Sequence, residues 1–153
     1  MVTDHSYPTH LFWQGSTGVG YRSYGRMHRA VAPPAATQVM LSADPAFRGD
    51  PALLNPEQLL VMAVSSCQLL SFLALAARRQ IDVVEYEDNA VRLTPGRMKP
   101  MRITQMQLAP TVRVAAGTDH ARVQALMTEA HDDCYIANSL TSDVLIEAAV
   151  VDS

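Results

Sequence analysis

NPEQLLVMAVSSCQ, residues 55–68, is the stretch on which the fold turns. Asn55 is a good helix N-cap, Pro56 suits the first helical position, and Glu57 puts a negative charge in the first turn, where it complements the macrodipole. The run that follows is nearly all hydrocarbon and carries a thiol, Cys67, near its middle. Apolar residues continue to Ala77, and Arg78 and Arg79 suit the negative end of the dipole. The pattern predicts a helix over 56–80, about 37 Å long at about 1.5 Å per residue. Its apolar part approaches the roughly 20 residues that a bilayer needs. Ser65, Ser66, Gln68 and Ser71 interrupt that run and no second one exists. A central helix buried in its own protein is therefore expected, with no membrane partner.

Outward from this helix the chain reads as β on both sides. His10–Trp13 is a short strand candidate, and GSTGVG (15–20) is a turn region whose spacing fails the dinucleotide-binding pattern. YRSYGRMHRAV (21–31) shows rough alternation, Pro33 and Pro34 break it, and TQVMLSA (37–43) reads as a third strand. Prolines and a glycine make 44–54 an ordered loop. Beyond the helix, strands are expected over 82–94 and 101–115, joined by PGRMKP. In the second, Met106, Leu108, Pro110, Val112 and Val114 alternate, and Pro110 points to an edge or a bulge. TDHARVQALMTEAHDD (118–133) is amphipathic, with Thr118 as cap and Val123, Leu126, Met127 and Ala130 as its apolar face. A last strand over 143–151 sets Val144, Ile146, Ala148 and Val150 inward against Glu147. The order β-β-β-α-β-β-α-β is an α+β pattern. No repeat, charge run or linker divides the 153 residues, so one domain over 1–153 is expected.

Composition narrows the function. With 48% hydrophobic and 18% charged residues the chain is not a disordered one. A net charge of −3 argues against a nucleic-acid partner, which wants a basic face. Met-Val-Thr-Asp-His-Ser at the start has neither the basic region nor the apolar run of a signal peptide, so a cytoplasmic location is expected. A single pair of cysteines makes no disulfide framework. In a reducing compartment such a pair is structural, redox-active or metal-binding.

Taken alone, a cysteine in an apolar helix is most often a small hydrophobe. To act as a nucleophile Cys67 needs a neighbouring cation, because it sits about three turns into the helix and the dipole fades after the first. Arg48 in the preceding loop is the candidate cation, and Glu57 the candidate to orient it. The plainer readings are a solvated loop arginine and an acid that complements the dipole. Glu57 and Cys67 are ten residues apart. That is about 15 Å along a straight helix, so the pair must reach Cys67 through Arg48 or come from a second subunit. Cys134, in HDDCYIANSL, follows a helix C-terminus and two aspartates, which disfavour a thiolate. If the thiols act together, Cys67 attacks and Cys134 resolves. His131-x-x-Cys134 is a weak metal spacing. No G-x-S-x-G elbow is present. Nothing singles out His28 or His131 as the partner of a cysteine hydrolase. No bound cofactor or metal is expected.

NPEQLLVMAVSSC (55–67) and CYIANSLTSDVLIEAAV (134–150), with DPAFRGD (44–50) and YRSY (21–24), resemble the OsmC/Ohr family, the osmotically induced and organic hydroperoxide resistance proteins. The likeness covers nearly the whole chain in element order. It implies an OsmC-like fold and an intertwined homodimer with its active sites at the subunit interface. It implies that a peroxidatic cysteine attacks the distal oxygen of an organic hydroperoxide, an alcohol leaves, and a second cysteine condenses the sulfenic acid to a disulfide. A dithiol, of lipoyl type in the family, then reduces that disulfide. By position Cys67 matches the peroxidatic thiol, Cys134 the resolving thiol, Glu57 the acid and Arg48 the arginine it pairs with. Arg22 and Arg26 are rivals, because one branch of the family draws its arginine from the N-terminal strands. Phe47, Leu53 and Leu54 would favour lipid-like or aromatic hydroperoxides over hydrogen peroxide. Tyr135 departs from the proline that often follows the second cysteine. Some members lack strong peroxidase activity, so the alternative is a dimer that holds a small hydrophobic ligand at its interface and senses redox state through its cysteines.

Overall fold

A computed structural model describes residues 5–93 and 99–153; of the expected PGRMKP turn, 95–98 lie outside the described residues. The chain forms two compact units, 1–59 and 60–153, with the boundary inside the long helix.

In the first unit β1 (His10–Phe12), β2 (His28–Val31) and β3 (Gln38–Leu41) pair antiparallel in chain order. Residues 21–27, expected to extend a strand, turn instead. Gly20 opens the turn at a φ of 91°, which favours glycine. The Arg26 guanidinium then donates to the carbonyls of Tyr24 and Tyr21, each at 2.8 Å, and lies 4.0 and 4.9 Å from their ring centroids. These contacts give the backbone carbonyls a partner other than a neighbouring strand. The 44–54 loop is ordered as expected. Asp44 accepts from the Ala46 amide to cap a 3-10 turn, Pro45–Phe47, and Arg48 closes it in the left-handed region at φ 67°. A Cβ on Gly49 would stand 1.5 Å from the Ala43 carbonyl oxygen, so no larger residue fits there.

Helix α1 (Pro56–Arg78) starts where the sequence places it. Asn55 Oδ1 accepts from the Gln58 amide and Gln58 Oε1 from the Asn55 amide, both at 2.9 Å. This reciprocal capping box adds Gln58 to the signals read above.

In the second unit α1 ends at Arg78 rather than Gln80, because the chain closes a Schellman turn. Gln80, at φ 57°, donates to the Ala77 carbonyl at 3.2 Å, and the Ile81 amide reaches the Ala76 carbonyl at 2.9 Å.

Each long strand candidate is broken once. Residues 82–94 give β4 (Val83–Asp88) and β5 (Val91–Leu93). Residues 101–115 give β6 (Gln105–Leu108) and β7 (Pro110–Val114), and 143–151 give β8 (Asp143–Ile146) and β9 (Ala149–Asp152). One sheet runs β4-β7-β9 and the other β5-β6-β8; β4/β7 and β5/β6 are antiparallel, β7/β9 and β6/β8 parallel. The breaks lie level with one another, and their freed amides find other acceptors. Asp88 Oδ1 accepts from the Ala109 amide at 2.8 Å, and the Glu147 amide donates to the Leu108 carbonyl at 2.9 Å. The Asp88 carboxylate also accepts from the Ser65 hydroxyl of α1. Pro110 sits in a central strand, not at an edge, and is tolerated there as its first residue.

Helix α2 (His120–Asp132) is capped by Asp119, one residue later than expected. Thr118 is committed elsewhere, its hydroxyl donating to the Ala115 carbonyl at 2.6 Å, and Asp119 Oδ1 accepts from the Ala121 amide at 2.9 Å. The expected apolar face, Val123, Leu126, Met127 and Ala130, is buried against Phe72, Leu75 and Ala76 of α1 and Val112 and Val114 of β7. A second cluster joins Val61 and Val64 to Met106 and Leu108. Val144, Ile146, Ala148 and Val150 pack inward as their alternation predicts.

By length and a mean hydropathy of 2.1, α1 is apolar enough to cross a membrane. Here it supplies residues to both core clusters, as a core helix does. Its burial within the chain is one-sided: Val64 and Phe72 are enclosed, while Met62, Leu70 and Leu73 remain exposed.

Candidate thiol site

The second unit brings the two cysteines together. Cys67 sits on α1, half-buried. Cys134 is placed by the way α2 ends: the Asp133 amide donates to the Glu129 carbonyl at 3.2 Å and the Cys134 amide to the His131 carbonyl at 3.0 Å. The chain leaves α2 in a tight turn, and Cys134 becomes the N-cap residue of a short helix, α3 (Tyr135–Asn138), that the sequence does not announce. There Cys134 is wholly buried.

Both thiols are free, and Cys134 lies within hydrogen-bonding reach of Cys67. Burial has the largest influence on Cys134 and pushes its pKa up. The Ala137 amide at the start of α3 pulls it down, the Cys67 thiol pushes it up again, and the Ile136 amide opposes weakly; the net direction is upward. Cys134 is thus held as a neutral thiol, and Cys67 is the more exposed of the two residues.

Gln68, which follows Cys67, is wholly buried. Its Nε2 donates to the Met127 carbonyl at 3.1 Å. In the sequence it registers only as a polar interruption of an apolar run, although a glutamine beside a thiol on a buried face is itself a signal.

The other expected site residues lie in the first unit. Arg48 is exposed, and no ion pair joins it to Glu57 among the described residues. Glu57 keeps its Oε2 buried without a hydrogen-bond partner. Arg22 is exposed. Arg26 is half-buried and lines a cavity of about 350 Å³ with Trp13, Tyr24, His28, Ser42 and Pro56. A mostly apolar hollow with one guanidinium in its wall is the usual construction of a small-molecule pocket. Among the described residues no group of three or more His, Cys, Asp or Glu could hold a metal ion, and His131-x-x-Cys134 assembles no ligand set.

The family model for OsmC-like proteins matches residues 49–149. Among solved structures the chain is similar to an OsmC-like protein of unknown function from Vibrio cholerae, with 26% identity over 95% of this chain and 99% of that one and a TM-score of 0.85. It is also similar to an organic hydroperoxide resistance protein from Elizabethkingia anophelis, with 15% identity over all of both chains and a TM-score of 0.71. A third, an organic hydroperoxide resistance protein of Bacillus subtilis, shares 13% identity over 96% of this chain and 98% of that one, with a TM-score of 0.62. At these identities the last two show the fold alone. No curated protein matches the chain.

Proposed function

Because this chain belongs to the OsmC-like protein family, we propose that it is a thiol-dependent peroxidase that reduces organic hydroperoxides to alcohols. The observation that carries the reading is the thiol pair: one sulfur half-buried, the other enclosed and protonated beside it. The Cys67 thiolate attacks the distal oxygen of the hydroperoxide, the O–O bond breaks, and the alkoxide takes a proton and leaves as the alcohol. Cys67 is now a sulfenic acid. The Cys134 sulfur attacks it, the S–O bond breaks, and the hydroxide leaves as water with the Cys134 proton, so that a Cys67–Cys134 disulfide remains. An external dithiol, of lipoyl type by the family resemblance, returns both thiols by exchange. The names of the fold relatives from E. anophelis and B. subtilis support the substrate class.

Glu57 is proposed to orient an arginine toward Cys67. Arg48 is the assignment by sequence position. What favours Arg26 is that it is half-buried and lines a cavity with Pro56, the residue before Glu57, and that Glu57 has a buried oxygen without a partner. A guanidinium stays charged at working pH and can stabilise both a thiolate and a departing alkoxide. One domain over 1–153, acting as a homodimer in the cytoplasm, completes the proposal. Each unit exposes apolar side chains that a second copy would cover, Leu11 and Phe12 in the first and Met62, Leu70 and Leu73 in the second.

A second reading, a dimeric protein that binds a small hydrophobic ligand and senses redox state, is favoured by the cavity that Trp13, Tyr24 and Pro56 line. Consumption of cumene hydroperoxide and of hydrogen peroxide, with dihydrolipoamide as reductant, separates the two. The peroxidase should consume the organic substrate faster, and Cys67→Ser should abolish it. Turnover of neither peroxide transfers the reading to the binding protein.

A further inference from the structure

We infer that Gln68 is a positioning residue for disulfide closure: its side-chain amide pins α1 to α2 in the register that keeps Cys67 and Cys134 within bonding reach. The inference rests on these two thiols being the redox couple proposed above.

Packing does not account for Gln68. It is wholly buried, its Nε2 donates to the Met127 carbonyl at 3.1 Å and lies 3.3 Å from the Met127 sulfur, and its Oε1 has no partner. A buried amide with half its hydrogen-bonding capacity unmet is an unfavourable occupant of a core, and an apolar side chain of the same volume would remove that cost.

Its position supplies a reason. Gln68 adjoins Cys67 in α1, and Met127 lies on α2, whose terminal turn leads directly into Cys134. The other buried contacts between these helices are hydrocarbon, Phe72, Leu75 and Ala76 against Val123, Leu126, Met127 and Ala130; the polar links, Arg79 to Glu129 and Arg122 to the Arg79 carbonyl, are exposed and lie just beyond the end of α1. Hydrophobic contact has no direction, so it tolerates a small slide of one helix along the other. A disulfide does not, since it needs sulfurs about 2.05 Å apart and Cα atoms within about 4.4–6.8 Å. A slip of one residue, about 1.5 Å, spends much of that tolerance. One hydrogen bond to a backbone carbonyl is directional, and fixing register is the best-attested use of a polar group in an apolar interface.

The test uses diamide, an azo oxidant that closes vicinal thiols without a hydroperoxide. The Cys67 thiolate adds to the N=N bond, Cys134 displaces the hydrazine, and two thiol hydrogens pass to the reagent as the S–S bond forms. Gln68→Met keeps the volume and removes the amide. Closure, followed by mass spectrometry after acid quench, should slow by about tenfold, the weight of one hydrogen bond. Alkylation of Cys67 by iodoacetamide should stay at the wild-type rate, and the thermal midpoint should not fall. Gln68→Glu adds a second readout: a protonated carboxyl can donate to the Met127 carbonyl and a carboxylate cannot. Measured against wild type at the same pH, its closure rate should match at about pH 5 and fall toward that of Gln68→Met at about pH 10, above the range of about 8–9 into which full burial raises a glutamate. Wild-type closure in Gln68→Met would overturn the inference. If Gln68→Met does not fold, a Gln68→Glu rate that tracks wild type at both pH values overturns it. Failure of the wild type to close removes the redox couple and the inference with it. Normal closure without peroxide turnover removes only the peroxidase.

Discussion

The wholly buried thiol of Cys134 lies within hydrogen-bonding reach of the half-buried thiol of Cys67. One comes from the middle of a long helix and the other from the turn after a second helix, so the pair exists only because α1 and α2 pack together. In the proposed reaction the more exposed Cys67 would meet the substrate and the buried Cys134 would wait as the neutral thiol.

That arrangement predicts an intrachain disulfide. One equivalent of cumene hydroperoxide should remove two hydrogens from the chain in non-reducing mass spectrometry, with Cys67 and Cys134 joined. Cys134→Ser should stop at the sulfenic acid and over-oxidise with excess peroxide. Over-oxidised Cys67 beside a free Cys134 in the wild type would reject the resolving role.

The activating cation can be identified by substitution. A guanidinium within about 4–6 Å of a thiol raises its thiolate population by about ten- to a thousand-fold. Arg26→Ala should slow peroxide attack by that factor, Glu57→Ala by less, and the exposed Arg48 and Arg22 least when changed to alanine. The pH dependence of Cys67 alkylation in the four variants reads this directly. A curve that moves in Arg48→Ala but not in Arg26→Ala assigns the role to Arg48. If no curve moves, Cys67 is a packing residue.

A single chain leaves Leu11, Phe12, Met62, Leu70 and Leu73 exposed. The protein should therefore sediment at twice its chain mass at micromolar concentration, and Leu70→Glu should shift it toward monomer by placing a charge in the interface. A folded wild-type monomer under these conditions would remove the dimer.

Stability should fall in alkali. Cys134 holds its proton more tightly in the folded chain than its ordinary value near 9.0. Above that pH the unfolded chain has lost the proton and the folded one has not, so the unfolded state binds fewer protons and stability decreases as pH rises. The contribution is fully present below the ordinary thiol value. Tyr86, pushed above 10.0 by burial and by the Asp88 charge, extends the fall. Urea midpoints under reducing conditions, from about pH 7 to about pH 11, should show both steps. Cys134→Ser should remove the first and Tyr86→Phe the second; a flat wild-type curve contradicts both assignments.

Much of the molecule is legible because its signals are short-range. Asn55 and Pro56 start α1 by bonds and steric limits that involve only the next few residues. The face Val123, Leu126, Met127, Ala130 and the alternation from Val144 to Val150 are periodicities of one element, and both are buried as read. Both thiols of the site stand out as the only cysteines of the chain.

Tertiary structure alone decides the rest. The strand break at Ala109 is possible because Asp88, on another strand, accepts the freed amide. Residues 21–27 turn because Arg26 finds the carbonyls of Tyr21 and Tyr24. Which arginine is enclosed, whether Cys134 reaches Cys67, and that Gln68 meets the Met127 carbonyl all depend on residues far apart in the chain. A helical or strand period tells which side of an element is apolar; it does not tell which other element covers that side, or in what register. Those are outcomes of packing summed over the whole fold, and the approach of the two thiols on which the proposed chemistry depends is one of them.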